Sequence, residues 1–161
     1  MNDKAISVSI VMGSRSDFEL MRQSGELLDK ISINYEYFIS SIHRTPERTL
    51  EYAKKLKQRN IKVVIAAAGM ANHLSGILAA MTMLPVIAVP IAASLGGVDA
   101  LLSSIQMPPG TPVATVSING AVNAALLAAR ILAISDTAVS KRLDEYIKIR
   151  KSEYLEKCKI P

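Results

Sequence analysis

Residues 61–83, IKVVIAAAGMANHLSGILAAMTM, decide the fold. The first eight are apolar except for Lys62 and end in three alanines, without alternation of polar and apolar positions. A strand with one wet face alternates, whereas a run apolar at nearly every position is covered on both faces, as in a parallel sheet between two layers of helices. Gly69-Met70-Ala71-Asn72-His73 interrupts the run, and the small apolar residues from Leu74 to Met83 then read as a buried helix. Strand, polar turn and helix in so short a span make one βα unit, and the flanking sequence repeats that unit on both sides.

Upstream, residues 5–12 (AISVSIVM) read as a buried strand ended by the turn Gly13-Ser14-Arg15-Ser16-Asp17. Ser16 or Asp17 is expected to cap a helix carrying Phe18, Met21, Leu27 and Leu28. Residues 33–39 (INYEYFI) form a second strand that delivers Ser40-Ser41-Ile42-His43-Arg44-Thr45-Pro46, in which Thr45 reads as N-cap and Pro46 as the first residue of a half-exposed helix over 46–59. Downstream, 85–90 (PVIAVP) is a fourth strand, 92–97 a mobile loop, 98–106 a short helix, 107–110 a turn and 112–118 (PVATVSI) a fifth strand. The Ala- and Leu-rich run 120–134, charged only at Arg130, is expected to be covered on nearly every side. Residues 136–157 mix both charge signs around Val139, Leu143, Ile147 and Leu155, which reads as a peripheral helix extending to a neighbouring subunit.

Five strands alternating with helices, joined by right-handed crossovers, give a flavodoxin-like three-layer α/β sandwich with a five-stranded parallel sheet in the order 2-1-3-4-5. No repeat or linker divides the chain, so one domain is expected over 1–161, with a core of 5–134 and the C-terminal helix 136–157. In that order the ends of strands one, two and three lie side by side, and the switch point between one and three is where open α/β sheets bind ligands. The three segments richest in Ser, Gly, Asp, His and Arg follow those three strands, so they should converge on one crevice.

Composition narrows the classes. Half of the 161 residues are hydrophobic but only 4% are aromatic, with no Trp, so the core must be built from Ala, Ile, Leu, Val and Met. Met12, Met70, Met81, Met83 and Met107 read as adaptable core filler at element ends. The net charge of +5 arises from Lys and Arg interleaved with acids, which argues against nucleic acid and suits a small anionic substrate. Asp3 and Lys4 lead straight into a strand pattern without signal-peptide character, and apolar runs end before the ~20 residues a membrane helix needs, so a cytoplasmic protein is expected. Two histidines and the single, distant Cys158 offer no metal-ligand spacing.

Chemistry concentrates at the crevice. His43 is the kind of side chain that exchanges a proton near neutrality, and Arg44 beside it is a fixed cation for a phosphate or carboxylate. Ser14 and the backbone N–H groups of its turn suit a phosphate, while Asp17 suits ribose hydroxyls. That turn has neither P-loop nor dinucleotide spacing, and no G-x-S-x-G elbow is present. His73 closes the third segment.

Taken together, MGSRSD, SSIHRTP, AAAGMANHLSG, PVIAVP and GGVDALLSSIQMPPGTPVATVSI resemble, in order and spacing from about residue 7 to about residue 133, the class I N5-carboxyaminoimidazole ribonucleotide mutases of the PurE family. The resemblance implies a flavodoxin-like subunit, a homo-octamer, no metal or organic cofactor, and transfer of a carboxylate from the exocyclic nitrogen to the ring carbon of an aminoimidazole ribonucleotide in purine biosynthesis. By motif, Ser14, Asp17 and Arg44 would hold the ribose phosphate with Ser16 and Ser41 close by, and His43 would be the general acid and base. Ala68, Gly69, Met70, Ala71 and His73 match the loop that closes over the imidazole and carboxylate. Ile42, Asn72, Ser75 and Ala100 stand where the family usually has Ala, Ala, Pro and Ser, and the loops before Gly97 and Asn123 are slightly shorter. Asn72 is expected to add polarity beside His73, and Ile42 to narrow the pocket. Two alternatives stay open: a carboxylase that takes carbon dioxide and aminoimidazole ribonucleotide directly, whose class II loops lack the histidine at position 73, and a non-catalytic nucleotide-binding paralogue.

Overall fold

The computed structural model describes residues 6–158. Strands β1 (Val8–Met12), β2 (Tyr35–Ile39), β3 (Val63–Gly69), β4 (Val86–Ile91) and β5 (Ala114–Thr115) form one sheet in the order β2-β1-β3-β4-β5, parallel throughout. Helices α1 (Phe18–Lys30), α2 (Pro46–Lys55), α3 (His73–Met81), α4 (Val98–Ile105), α5 (Ala121–Ala133) and α6 (Thr137–Lys157) complete the sandwich. The flavodoxin-like order read from the sequence is the order found. Ala5, the expected first residue of the first strand and of the core, lies outside the described residues.

Because side chains alternate across a strand, each central strand feeds two cores. Val8, Ile10 and Met12 with Val63, Ile65 and Ala67 face α1 and α5, where Met21 and Leu28 meet a row of buried alanines, Ala121, Ala124, Ala125, Ala128 and Ala129. Small side chains let α5 approach closely, and Ser24 Oγ of α1 donates to Ala121 O at 2.8 Å. On the other face Val11, Val64 and Ala66 pack against Tyr52 and Ala53 of α2 and Leu74 and Leu78 of α3. Covered on both faces, β1 and the first five residues of β3 are buried throughout.

Several boundaries differ from the sequence reading, each for a local reason. The fifth strand is two residues rather than 112–118. Asn119 N donates to Pro90 O at 2.8 Å, so Pro90 of β4 turns toward this edge, and its missing N–H interrupts the ladder there. Helix α2 stops at Lys55 rather than 59, and the turns that follow end at Asn60 in the left-handed region (φ 62°), from which Ile61 N reaches back to Leu56 O. Thr45 makes no side-chain cap: its hydroxyl donates to Ser41 O at 3.0 Å instead. Helix α3 is buried only at Leu74, Ser75 and Leu78, and α5 is covered on its alanine face while Val122 and Ile134 are exposed. Of the methionines read as core filler, Met12 is buried but Met70 and Met83 are exposed, Met83 almost completely at 98%. The loop 92–97 contains a 3-10 turn over Leu95–Gly97.

Helix α6 has two halves. Val139 and Leu143 are buried in the α1–α5 core, each contributing about 1.5–3 kcal/mol by burial. Beyond Tyr146 none of the described residues is buried, and Ile149, Tyr154 and Leu155 are exposed. Asp136 sets where the helix starts, its Oδ1 accepting from Ala138 N at 2.9 Å and Val139 N at 3.0 Å. Asp136→Ala should cost about 1 kcal/mol and lower the thermal midpoint by about 2–4 °C for a chain of this size. A midpoint unchanged in differential scanning calorimetry would show that the cap does not hold the helix.

Candidate active site

The register places Met12 of β1 opposite Ile39 of β2 and Ala67 of β3, so three loops leave the sheet together. The first begins at Gly13, whose N–H donates to Ala67 O at 2.9 Å. Ser14 then caps a 3-10 turn over Arg15–Asp17 that runs into α1; Asp17 stands at the N-cap position of α1, as expected, but its carboxylate makes no cap bond to that helix and turns back to Ser14 instead. Asp17 returns the bond, its Oδ2 accepting from Ser14 N at 3.0 Å while Oδ1 accepts from Ser16 Oγ at 3.2 Å. Asp17 is only 7% exposed, and burial pushes its carboxyl above the ordinary value of 3.8 against the opposing pull of Ser16, Ser14 and Arg44.

The second loop starts at Ser40, whose N–H donates to Met12 O at 2.9 Å and whose buried hydroxyl is bonded to that of Thr49 at 2.8 Å. Ser41 is an internal brace: its Oγ accepts from Arg44 N at 3.3 Å and its carbonyl accepts from Thr45 N at 2.8 Å. The turn so formed presents His43 and Arg44. The Arg44 guanidinium crosses to the first loop, donating to Gly13 O at 3.5 Å, and its charge acts on Asp17.

The third loop leaves β3 through Gly69, where an added Cβ would run into that of Ala93. Met70 follows in the left-handed region (φ 55°), unusual for a residue with a side chain. His73 opens α3, and its Nδ1 lies 2.9 Å from His43 Nε2, the rings edge to face with centroids 5.0 Å apart. One nitrogen donates and the other accepts, so the contact fixes a complementary pair of ring states.

A cleft of about 500 Å³ opens between the loops. Ser14, Ser16, Asp17, Ser41, His43, Arg44, Ala68, Gly69, Met70 and Ala71, all expected from the sequence, line it. His73 is not in the lining and reaches it through its bond to His43. Ile42 is in the wall, its half-buried side chain packed against the core cluster that contains Val11, Tyr52 and Leu74. Asn72 departs from expectation: its side chain is fully buried and its Nδ2 donates to Ser104 Oγ of α4 at 3.0 Å, so its polarity goes into the protein instead of beside His73. Gly13, Leu74 and Ala93 also line the cleft and were missed, because none carries a reactive group. The signal for Ala93 is its place in a run of small residues, Ala92-Ala93-Ser94, after a strand end. Among the described residues no three His, Cys, Asp or Glu side chains cluster as metal ligands would. A larger groove of about 730 Å³ between α1, α5 and α6 lies away from the three strand-end loops, lined by charges of both signs including Glu26, Lys30, Arg142 and Arg150.

Residues 7–153 match the family described as AIR carboxylase. The chain belongs to the AIR carboxylase family. Among curated AIR carboxylase relatives, a protein of Pyrococcus horikoshii named N5-carboxyaminoimidazole ribonucleotide mutase is 52% identical over 94% of this chain and 86% of its own length. A protein of the same name from Thermotoga maritima is 51% identical over 94% of this chain and 89% of its own. A solved Treponema denticola PurE superposes with a TM-score of 0.83 at 32% identity, covering 92% of this chain and 94% of its own.

Asp17 permits a test of the site's electrostatics. With its pKa raised on folding, the folded chain binds more protons than the unfolded one between pH 3.8 and the folded value, so stability falls as pH rises through that window and stays lower above it. Asp17→Asn keeps an acceptor for Ser14 N–H and removes the buried charge. The variant's stability relative to the native chain, from urea unfolding, should therefore be greater at pH 7 than at pH 3. A relative stability greater at pH 3 would mean that Ser16, Ser14 and Arg44 outweigh burial.

Proposed function

We propose that the cleft moves the carboxylate of N5-carboxyaminoimidazole ribonucleotide from the exocyclic nitrogen to the neighbouring ring carbon, giving 4-carboxy-5-aminoimidazole ribonucleotide in de novo purine biosynthesis. The observation that carries this reading is His43, bonded to His73, in the lining of a cleft that Arg44, Ser14, Ser16 and Asp17 also line. A proton donor and an anion site share one small enclosure. Arg44 and Ser14 hold the phosphate with Ser16 and Ser41 beside them, and Asp17 accepts from ribose hydroxyls. Ala68, Gly69, Met70 and Ala71 close over the imidazole, and His73 sets the state of His43.

The reaction follows from those positions. His43 protonates the carbamate nitrogen; the C–N bond breaks and releases carbon dioxide beside the electron-rich ring carbon. That carbon attacks the carbon dioxide, a C–C bond forms, and the ring proton returns to the histidine as aromaticity is restored. The overall change is an isomerisation, balanced without oxidant or added metal. Walls of Gly and Ala leave carbon dioxide little polar surface to hydrate against, so proximity does much of the work.

The chain serves this role as one cytoplasmic domain in a homo-octamer. Met83, Leu95, Val98, Leu102 and Ile105 are exposed on the α3–α4 side, and Ile149, Tyr154 and Leu155 on distal α6, more apolar surface than a lone domain usually shows. Among the described residues no helix is long and apolar enough to cross a membrane.

The deciding assay supplies the carbamate substrate labelled with ¹³C in its carboxylate, in unlabelled bicarbonate. Retention of label in the carbon-carboxylated product is expected. Loss of label to bicarbonate, or product only from aminoimidazole ribonucleotide and carbon dioxide, would make the protein a carboxylase, and binding without turnover a non-catalytic paralogue. His43→Asn should lower turnover at least ~10²-fold, and equal turnover would remove it from the mechanism. Light scattering should give eight subunits, and deletion from Ile149 onward, which spares buried Val139 and Leu143, should reduce that number. A fully active monomer would defeat the assembly reading alone.

A further inference from the structure

The loop that ends in His73 is an unfavourable piece of chain. Met70 sits at φ 55°, and Asn72 at φ −76°, ψ 61° is the centre of a tight turn closed by His73 N donating to Ala71 O at 2.8 Å. The left-handed backbone at Met70 persists only where the surroundings over-determine it, whereas the inverse γ-turn at Asn72 is a common conformation that needs only to be held in one orientation. Here the surroundings are α4. Asn72 N donates to Ser103 Oγ at 2.8 Å and Asn72 Nδ2 to Ser104 Oγ at 3.0 Å, so the residue is gripped by backbone and side chain at once. Both serines are themselves tied down: Ser103 Oγ donates to Asp99 O at 2.8 Å and Ser104 Oγ to Ala100 O at 2.7 Å. Their protons thus committed, the two hydroxyls offer lone pairs to Asn72. Ser75 Oγ adds a bond to Asn72 O at 3.1 Å within the first turn of α3.

A fully buried amide with one oxygen, Oδ1, lacking a partner is costly to keep in a core. What it secures is the start of α3, and the first residue of α3 is His73. We propose that Asn72, through Ser103 and Ser104, is a positioning residue that fixes the His73 ring at hydrogen-bonding distance from His43 and so couples the tautomer of His43 to that of His73. Asn72 does not line the cleft and touches no substrate. Its effect is on the 2.9 Å contact between the two rings. This extends the proposed roles of the histidines and rests on that reading for its kinetic consequence, but not for its structural one.

The two are separable because His43 and His73 are the only histidines in the chain. Labelling with ¹⁵N-histidine gives ring-nitrogen spectra of those two residues alone, and ring-nitrogen shifts report tautomer directly. In the full-length native protein, at a pH above the titration of both rings, each ring should show one predominantly protonated and one predominantly unprotonated nitrogen. Asn72→Ala and Ser104→Ala should move both rings toward averaged shifts and displace the pH profile of kcat, lowering kcat about 10- to 100-fold, as small misplacements of catalytic groups do, with KM within about threefold if phosphate binding is untouched. Ser104→Thr keeps the hydroxyl and should restore native spectra and kcat. Should Asn72→Ala misfold, the Ser104 pair carries the test by itself. Native ¹⁵N shifts and an unmoved pH profile in a folded Ser104→Ala would overturn the proposal, even if its melting temperature fell. Altered shifts in a series whose native member has no mutase turnover would sustain the positioning claim and defeat the proposed function.

Discussion

The parallel ladder that joins β1 to β2 on one side and β3 on the other is the constraint from which the site follows. Each ladder is in register up to Met12, so three loops start on adjacent strands, ~5 Å from one to the next, whatever their own sequences. Parallel strands need long crossovers, and those crossovers are the helices that seal both faces of the sheet. The loops are therefore pinned at both ends, behind by a strand end and ahead by a helix start. Gly13 N–H to Ala67 O and Ser40 N–H to Met12 O carry the ladder one residue past the strands and aim the loops before they diverge. Precision at the cleft thus comes from the sheet, and the polar residues have only to occupy it.

What they cost is visible in the same place. Asp17 is a carboxylate with its pKa raised by burial, Met70 has a left-handed backbone, and two imidazoles share one hydrogen bond in an exposed setting. None of these improves a fold. Elsewhere the molecule is conventional: apolar strand faces against alanine, leucine and isoleucine, surface ion pairs at helical spacing such as Arg22 with Glu19 and Glu26 or Arg150 with Glu153, and a capped final helix. The exceptions there are the left-handed backbones of Ser32, Asn60, Leu95 and Asn119, so Met70 is not alone; what the cleft adds is a buried carboxylate near a pair of bonded imidazoles, and that combination marks where stability has been given up for chemistry.

The legible part of the fold was the part written in runs. β1 and β3 are apolar at successive positions, the helices between them have a 3.6-residue period, and the order follows from connection rules. The fifth strand was overread because 112–118 looks like a strand by composition, while its length is set by Pro90 on a different strand. The site was legible wherever a residue type carries chemistry, as at His43, Arg44 and Asp17. It was illegible at Gly13, Leu74 and Ala93, which shape the cleft by size alone. Asn72 was misplaced for a third reason: its partners Ser103 and Ser104 lie some thirty positions away, and the direction of a short polar side chain is decided by a tertiary contact that no local pattern encodes.

Helix α4 joins these observations. On its inner side Ser103 and Ser104 hold the His73 loop, and Asp99 holds the 92–97 loop by accepting from Ser94, next to the Ala93 that lines the cleft. On its outer side Val98, Leu102 and Ile105, spaced i, i+4, i+7, form an exposed apolar stripe. The helix is only eight residues long, too short to be stable by propensity, so its position depends on what packs against it. A surface that covers the outer stripe therefore fixes the helix that fixes two of the loops around the cleft. On this geometry the exposed stripe of α4 and the histidine pair, reached through Asn72, are joined by one short helix, so whatever holds that helix still is felt at the cleft.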